Sequence, residues 1–138
     1  FIIDEPELNL HPKNQRAFAR LVARMVNAGL KVFITTHSDY FIKEINTLIM
    51  LNQKTENTKL IQGKYKYYDE ELISPDNIKL YMTDTVSGGG KDRARRGRLR
   101  TLRLAKIYKD RGIEVETFDD TIEIMNSIQE EILYGGEL

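Results

Sequence analysis

The sequence predicts an α/β domain: a parallel βαβ core extended by short strands and closed by a carboxyl-terminal helix. Three observations carry that expectation. Phe1-Ile2-Ile3 and Lys31-Val32-Phe33-Ile34-Thr35-Thr36 are short, apolar, β-prone runs. One amphipathic stretch joins them. Beyond residue 46, short apolar runs alternate with turn residues, the texture of an antiparallel addition to a parallel sheet. The chain thus divides into a βαβ unit (1–46) and a strand-rich extension with a basic segment and a final helix (47–138).

Composition bounds the class. Of 138 residues, 41% are hydrophobic and 30% charged, as in a globular domain and unlike a disordered tail. No apolar run approaches the roughly 20 residues of a membrane helix, and no signal peptide is visible, so a cytoplasmic location is expected. Without cysteine there is neither a disulfide framework nor a thiolate metal site.

The elements follow in order. Phe1-Ile2-Ile3 reads as the end of a buried strand whose beginning lies upstream, and it terminates in Asp4-Glu5. Pro6 to Pro12 is rich in breakers, and Pro12 suits the first turn of a helix. From Lys13 to Ala28, Phe18, Leu21, Val22, Met25 and Val26 share one helical face and are expected to pack on the sheet. Arg16, Arg20 and Arg24 form a stripe on another face, read as mostly solvated with a partner-facing role as the alternative, and Gly29 suits the stop. The run 31–36 reads as a buried parallel strand, and Ser38 as the cap of a helix from Asp39 to Ile45. Leu48 to Leu51, two runs around Gln62-Gly63 within Lys59–Tyr68, and Ile78 to Met82 read as strands. Ser87 to Asp92 reads as a flexible loop, Arg98 to Lys109 as a ragged helix, and Thr121 to Leu133 as a helix capped by Asp119 or Asp120 and stopped by Gly135.

The overall charge is zero, yet it is unevenly placed. Residues 91–111 hold 10 basic and 2 acidic side chains, and residues 112–138 hold 8 acidic and no basic ones. The cations, Arg93, Arg95, Arg96, Arg98, Arg100 and Arg103 among them, could contact a nucleic-acid backbone. Aromatic interleaving is poor, so base stacking is not expected. The favoured reading is a solvated segment that neutralises the acidic tail.

The chemistry concentrates at two strand ends. In open α/β sheets, ligands bind outside the carboxyl ends of the strands. An aspartate there, Asp4, can hold Mg²⁺ through water, and a glutamate beside it, Glu5, can orient or deprotonate an attacking water. His37 ends the next strand of the same unit, so it is expected at the same sheet edge, where an imidazole can bond a terminal phosphate.

Phe1-Ile2-Ile3-Asp4-Glu5-Pro6, followed by Glu7-Leu8-Asn9-Leu10-His11-Pro12, resembles the Walker B motif and D-loop of ABC-type P-loop ATPases. The wording is that of the RecF/SMC-like and AAA-15/AAA-21 branches, which include overcoming-lysogenization-defect proteins. Val32 to Ser38 resembles their H-loop strand, and the tail from Gly112 resembles their ends more weakly. The resemblance implies Asp4 as the Mg²⁺-water ligand, Glu5 as catalytic base, Glu7, Leu8, Asn9, Leu10 and His11 as a D-loop at a dimer interface, and His37 as the switch histidine. It further implies ATP and Mg²⁺ as cofactors, a second ATPase protomer as partner, DNA or a nuclease effector as a further one, and a role in DNA maintenance or phage defence.

Departures from the family are equally informative. No G-x-x-x-x-G-K-[ST] phosphate loop occurs in the chain, and Ser87-Gly88-Gly89 falls after Walker B, where the family's signature does not lie. The Leu8-to-Pro12 wording disfavours a transporter ATPase, and Asp119-Asp120 lacks the spacing of a fused Toprim nuclease. The chain is therefore expected to be the carboxyl-terminal part of an ATPase domain, inactive alone. The alternative is a non-catalytic interaction module, with nucleic acid held by residues 91–111.

Overall fold

The computed structural model describes residues 1–87, 98–114 and 128–129. Strand β1 (Ile2–Asp4) pairs in parallel with β2 (Phe33–Thr35), in the register Ile2 to Phe33, Ile3 to Ile34 and Asp4 to Thr35. Helix α1 (Pro12–Asn27) makes the crossover between them. Its start is fixed by Pro12 in the first turn and by His11, whose Nδ1 accepts the Lys13 amide at 3.3 Å. It stops at Gly29, whose φ of +90° few other residues adopt cheaply.

Helix α2 (Asp39–Leu51) is capped by Ser38, whose Oγ accepts the Phe41 amide at 3.0 Å. It runs past Ile45 and absorbs Leu48–Leu51, which the sequence reading gave to a strand. A four-residue apolar run fits a strand or a buried helix turn equally well; here Leu48 and Ile49 continue the inner face begun by Phe41 and Ile45. Helix α3 (Glu56–Tyr65) likewise replaces the strands expected around Gln62-Gly63. Thr55 caps it, and Lys66 in left-handed conformation ends it.

The core joins α1 and α2. Ala19, Val22 and Ala23 meet Phe41, Ile45, Leu48 and Ile49, with Ile73, Ala105 and Ile113 closing the cluster. The Phe18 and Phe41 rings lie 5.9 Å apart, tilted by 37°. Fully burying a side chain such as Leu48 stabilises by about 1.5–3 kcal/mol. Leu21, expected in the packed face, is 52% exposed. The face that packs is instead the narrower Phe18–Ala19–Val22–Ala23–Val26 stripe, where two alanines are wholly covered. The expectation of fully buried strands also fails. Ile3 and Ile34 are half-buried on the inner side, whereas Ile2 and Phe33, alternating outward, are 85% and 62% exposed.

The arginine stripe is only partly solvated, because each arginine is also paired with a buried carboxylate. Arg16 Nε bonds Glu44 Oε2 at 2.7 Å. Arg20 and Arg24 both bond Glu71, which lies in a short 3-10 turn, Asp69–Glu71, and is buried. Asn27 Nδ2 adds bonds to the carbonyls of Glu70 and Leu72. A segment around residues 66–73 is thereby strapped along α1.

An antiparallel ribbon follows: β3 (Tyr81–Ser87) pairs with β4 (Arg98–Leu104), with Tyr81 opposite Leu104 and Ser87 opposite Arg98. Then β5 (Lys106–Tyr108) pairs with β6 (Gly112–Glu114). The ragged helix read over Arg98 to Lys109 is therefore β4 and β5, while β3 starts later than the strand read at Ile78. The β5–β6 hairpin docks on α2: Asn46 Oδ1 accepts the Ile113 amide at 2.8 Å, and Gln53 Nε2 donates to the Asp110 carbonyl at 2.8 Å. The Gly88–Asp92 part of the expected loop lies outside the described residues. So does the helix expected over Thr121–Leu133, apart from residues 128–129, which are helical. Among the described residues no helix is long and apolar enough to cross a membrane.

Candidate functional site

Because β1 and β2 are parallel and in register, Asp4 and Glu5 leave the sheet at the same edge as His37. His37 is held there by its chain rather than by packing, since its side chain is 87% exposed. Its Nε2 lies 3.1 Å from Glu5 Oε1. The carboxylate of Glu5 is about one-third exposed, so it faces solvent while its backbone is fixed.

Thr35 does that fixing. The Glu5 amide donates to the Thr35 carbonyl at 3.0 Å and to Thr35 Oγ1 at 3.1 Å. The Thr35 hydroxyl in turn donates to Asp4 Oδ1. Glu5 has φ of +42°, which is unusual for a residue with a β-carbon and is common at functional sites. The bend turns its side chain off the strand line.

The 5–11 loop is also tied to the end of β2. Glu7 Oε1 accepts the His37 amide at 2.5 Å. Burial pushes the Glu7 carboxyl up, but the His37 amide, its own amide and the Thr36 hydroxyl outweigh this and hold it below 4.5. Its other oxygen, Oε2, is buried without a partner. Leu8 and Asn9 are exposed, Asn9 with φ of +65°, and Leu10 is half-buried. His11 serves as the α1 cap. Gln15 joins the two segments: Nε2 donates to the Leu10 carbonyl at 2.8 Å, and Oε1 accepts from Ser38 Oγ at 2.5 Å. Glu5, Glu7, Leu8, Gln15 and His37 line an open depression of roughly 300 Å³.

Among the described residues no three histidine, aspartate or glutamate side chains converge into a metal cage. The donors at the strand edge, the Asp4 carboxylate and the Thr35 hydroxyl, are hard oxygens. They suit Mg²⁺, which keeps several waters and takes one or two carboxylates plus substrate phosphates.

Sequence reasoning named Asp4, Glu5 and His37, and the fold brings them together. It missed Thr35 and Gln15 as ordering residues and gave Ser38 only its helix cap. The hydroxyl-rich run Thr35-Thr36-His37-Ser38 at a strand end was the available signal; Gln15 had none. Of the basic residues, Arg100 and Arg103 lie exposed on β4 and Arg98 begins it; Arg93, Arg95 and Arg96 lie outside the described residues.

Residues 1–42 match the family model described as an AAA ATPase domain, AAA-15. The chain is similar there to ABC-type AAA-15 ATPases. Its curated relative, the OLD nuclease of Thermus scotoductus, is 27% identical over 124 residues. That match covers 88% of this chain and 21% of the relative, so the chain spans about a fifth of that protein's length. No solved structure matches the chain. The matched segment contains β1, α1, β2 and the start of α2, hence every residue of the strand-edge site.

Proposed function

We propose that this chain carries the Walker B, D-loop and H-loop elements of an ATPase domain that binds and hydrolyses ATP. Asp4 is its Mg²⁺-water ligand, Glu5 its catalytic base and His37 its switch residue. The observation that carries this reading is the 3.1 Å approach of His37 Nε2 to Glu5 Oε1 at the carboxyl edge of two parallel strands.

The chemistry follows from the groups. Bound Mg²⁺ supplies charge neutralisation on the phosphate oxygens. Asp4 and Thr35 provide the oxygen donors that would hold its water shell. Glu5 takes the proton of the attacking water; its fixed backbone restricts where the carboxylate can lie. The His37 Nε2 that bonds Glu5 is also free, by its exposure, to turn to a terminal phosphate, linking the state of the base to the presence of nucleotide. The 7–11 loop faces a second protomer, so that turnover is coupled to dimerisation. The setting is DNA maintenance or phage defence, with DNA or a nuclease effector as partner. The chain by itself is inactive, because no phosphate-cradling loop occurs in its 138 residues.

Glu5→Gln in the complete ATPase tests the reading. ATP binding should persist while turnover falls by about 10²-fold or more, because the base is lost and the metal ligand kept. Normal turnover would refute the assignment.

A further inference from the structure

We propose that Glu7 and Gln15 are positioning residues for His37: they set the path of the chain between β2 and α2, and through it the contact of His37 with Glu5. The proposal rests on the functional reading above and deepens it.

The His37 imidazole is 87% exposed, and Glu5 is the side chain it meets. A ring so exposed is placed chiefly by its own backbone. That backbone is held by side chains of the preceding loop and helix. Glu7 Oε1 takes the His37 amide at 2.5 Å, a charge-assisted bond of the stronger kind. One residue on, Ser38 Oγ donates to Gln15 Oε1 at 2.5 Å and accepts the Phe41 amide at 3.0 Å, while Gln15 Nε2 grips the Leu10 carbonyl at 2.8 Å. A continuous chain of bonds thus runs from the 7–10 loop to the first turn of α2, with His37 between its two anchors.

The orphaned Glu7 Oε2 supports the same conclusion. Burying a carboxylate oxygen without a partner is costly. A neutral apolar residue would avoid that cost but could not hold the His37 amide. The position therefore makes sense through the bonds of its other oxygen, of which the His37 amide reaches across to the end of β2. Displacing the 7–10 loop, as a docking protomer would, must shift the His37 amide and so the distance from Nε2 to Glu5.

The test uses two readouts. In the ¹⁵N–¹H spectrum of this chain, the His37 amide should resonate downfield, as expected for a short bond to a carboxylate. Glu7→Ala should move it upfield, and Glu7→Gln, which keeps an acceptor oxygen, should largely restore it. In the complete ATPase, Glu7→Ala and Gln15→Ala should each lower kcat by roughly 10-fold with KM for ATP little changed, the size usual for residues that orient a reacting group. Glu7→Gln should recover most of that loss. An unmoved His37 amide in Glu7→Ala overturns the inference. So does full turnover in Glu7→Ala and Gln15→Ala while Glu5→Gln is inactive. Normal turnover in Glu5→Gln instead sinks the functional reading itself, which separates the two failures.

Discussion

Arg20 holds Glu71 through two nitrogens, with Nε at 2.9 Å and Nη2 at 2.6 Å from the same carboxylate oxygen. Arg24 takes the other oxygen, through Nε at 3.1 Å and Nη2 at 2.7 Å, and the Tyr68 amide adds a bond at 3.0 Å. The arginines also lie over the rings of Tyr67 and Tyr68, at 4.7 and 5.4 Å from their centroids. The carboxylate is 2% exposed, whereas the arginines keep 26% and 48% of their side-chain surface. The acid is thus the member that depends on its partners.

Glu71→Ala should therefore cost more than loss of either arginine. It leaves the Tyr68 amide and the Arg24 guanidinium without an acceptor and Arg20 with the Lys66 carbonyl at 2.7 Å, and the partly exposed arginines can regain water, so the loss should be about 2 kcal/mol. Arg24→Ala should cost less, about 1 kcal/mol, because it strips one buried oxygen of Glu71 while Arg20 and the Tyr68 amide still hold the other. Urea unfolding of both variants checks the order.

The same cluster sets an acid limit. Burial pushes the Glu71 carboxyl up, but Arg20, the Tyr68 amide and Arg24 outweigh this and hold it below 4.5. A depressed carboxyl stabilises the fold above its unfolded value, and that stability is lost as pH falls through the folded value. The wild-type urea midpoint should fall on acidification from about pH 5 to pH 3, and Glu71→Ala should show a flatter profile over that window.

Gly112 makes a tight joint. With φ of +75°, an added β-carbon would lie 1.7 Å from Asn46 Oδ1, the atom that accepts the Ile113 amide. Gly112→Ala should cost about 2 kcal/mol or more, from backbone strain and a displaced bond. Asn46→Ala alone should cost about 1 kcal/mol. The double variant should cost less than the two together, since the clash needs both side chains. A thermal-denaturation cycle measures this.

His37→Ala separates chemistry from folding. With 87% of its side chain exposed, its loss should change the stability of this chain by less than about 0.5 kcal/mol. On the proposed reading, the same change in the complete protein should lower ATP turnover by about 10²-fold with ATP still bound. Calorimetry and steady-state kinetics on the one variant supply both answers.

The order and kind of the elements in the first 45 residues were legible because local signals agreed. Pro12 and Gly29 bracket α1, Ser38 starts α2, and the strand ends carry carboxylates and an imidazole in order. Legibility faded where the deciding partner is distant. Arg20 and Arg24 look solvated until Glu71, 51 and 47 residues away, closes on them. The apolar run Leu48–Leu51 has no intrinsic preference strong enough to override the helix that precedes it. Leu99, Leu102 and Leu104 match a helical spacing, yet β4 is decided by its long ladder with β3. The site followed the same rule: the charged groups announced themselves, while Thr35 and Gln15 matter only through contacts that the fold makes.

The bent backbone of Glu5 sets thermodynamic fitness against the role proposed for its side chain. A residue with a β-carbon at φ of +42° costs on the order of 1 kcal/mol. Glycine would remove that cost, and Thr35 would still accept the same backbone amide. Glu5→Gly should then leave the folded chain as stable or more so while stripping it of its acid, so a screen for robustness alone would discard the side chain proposed as the base.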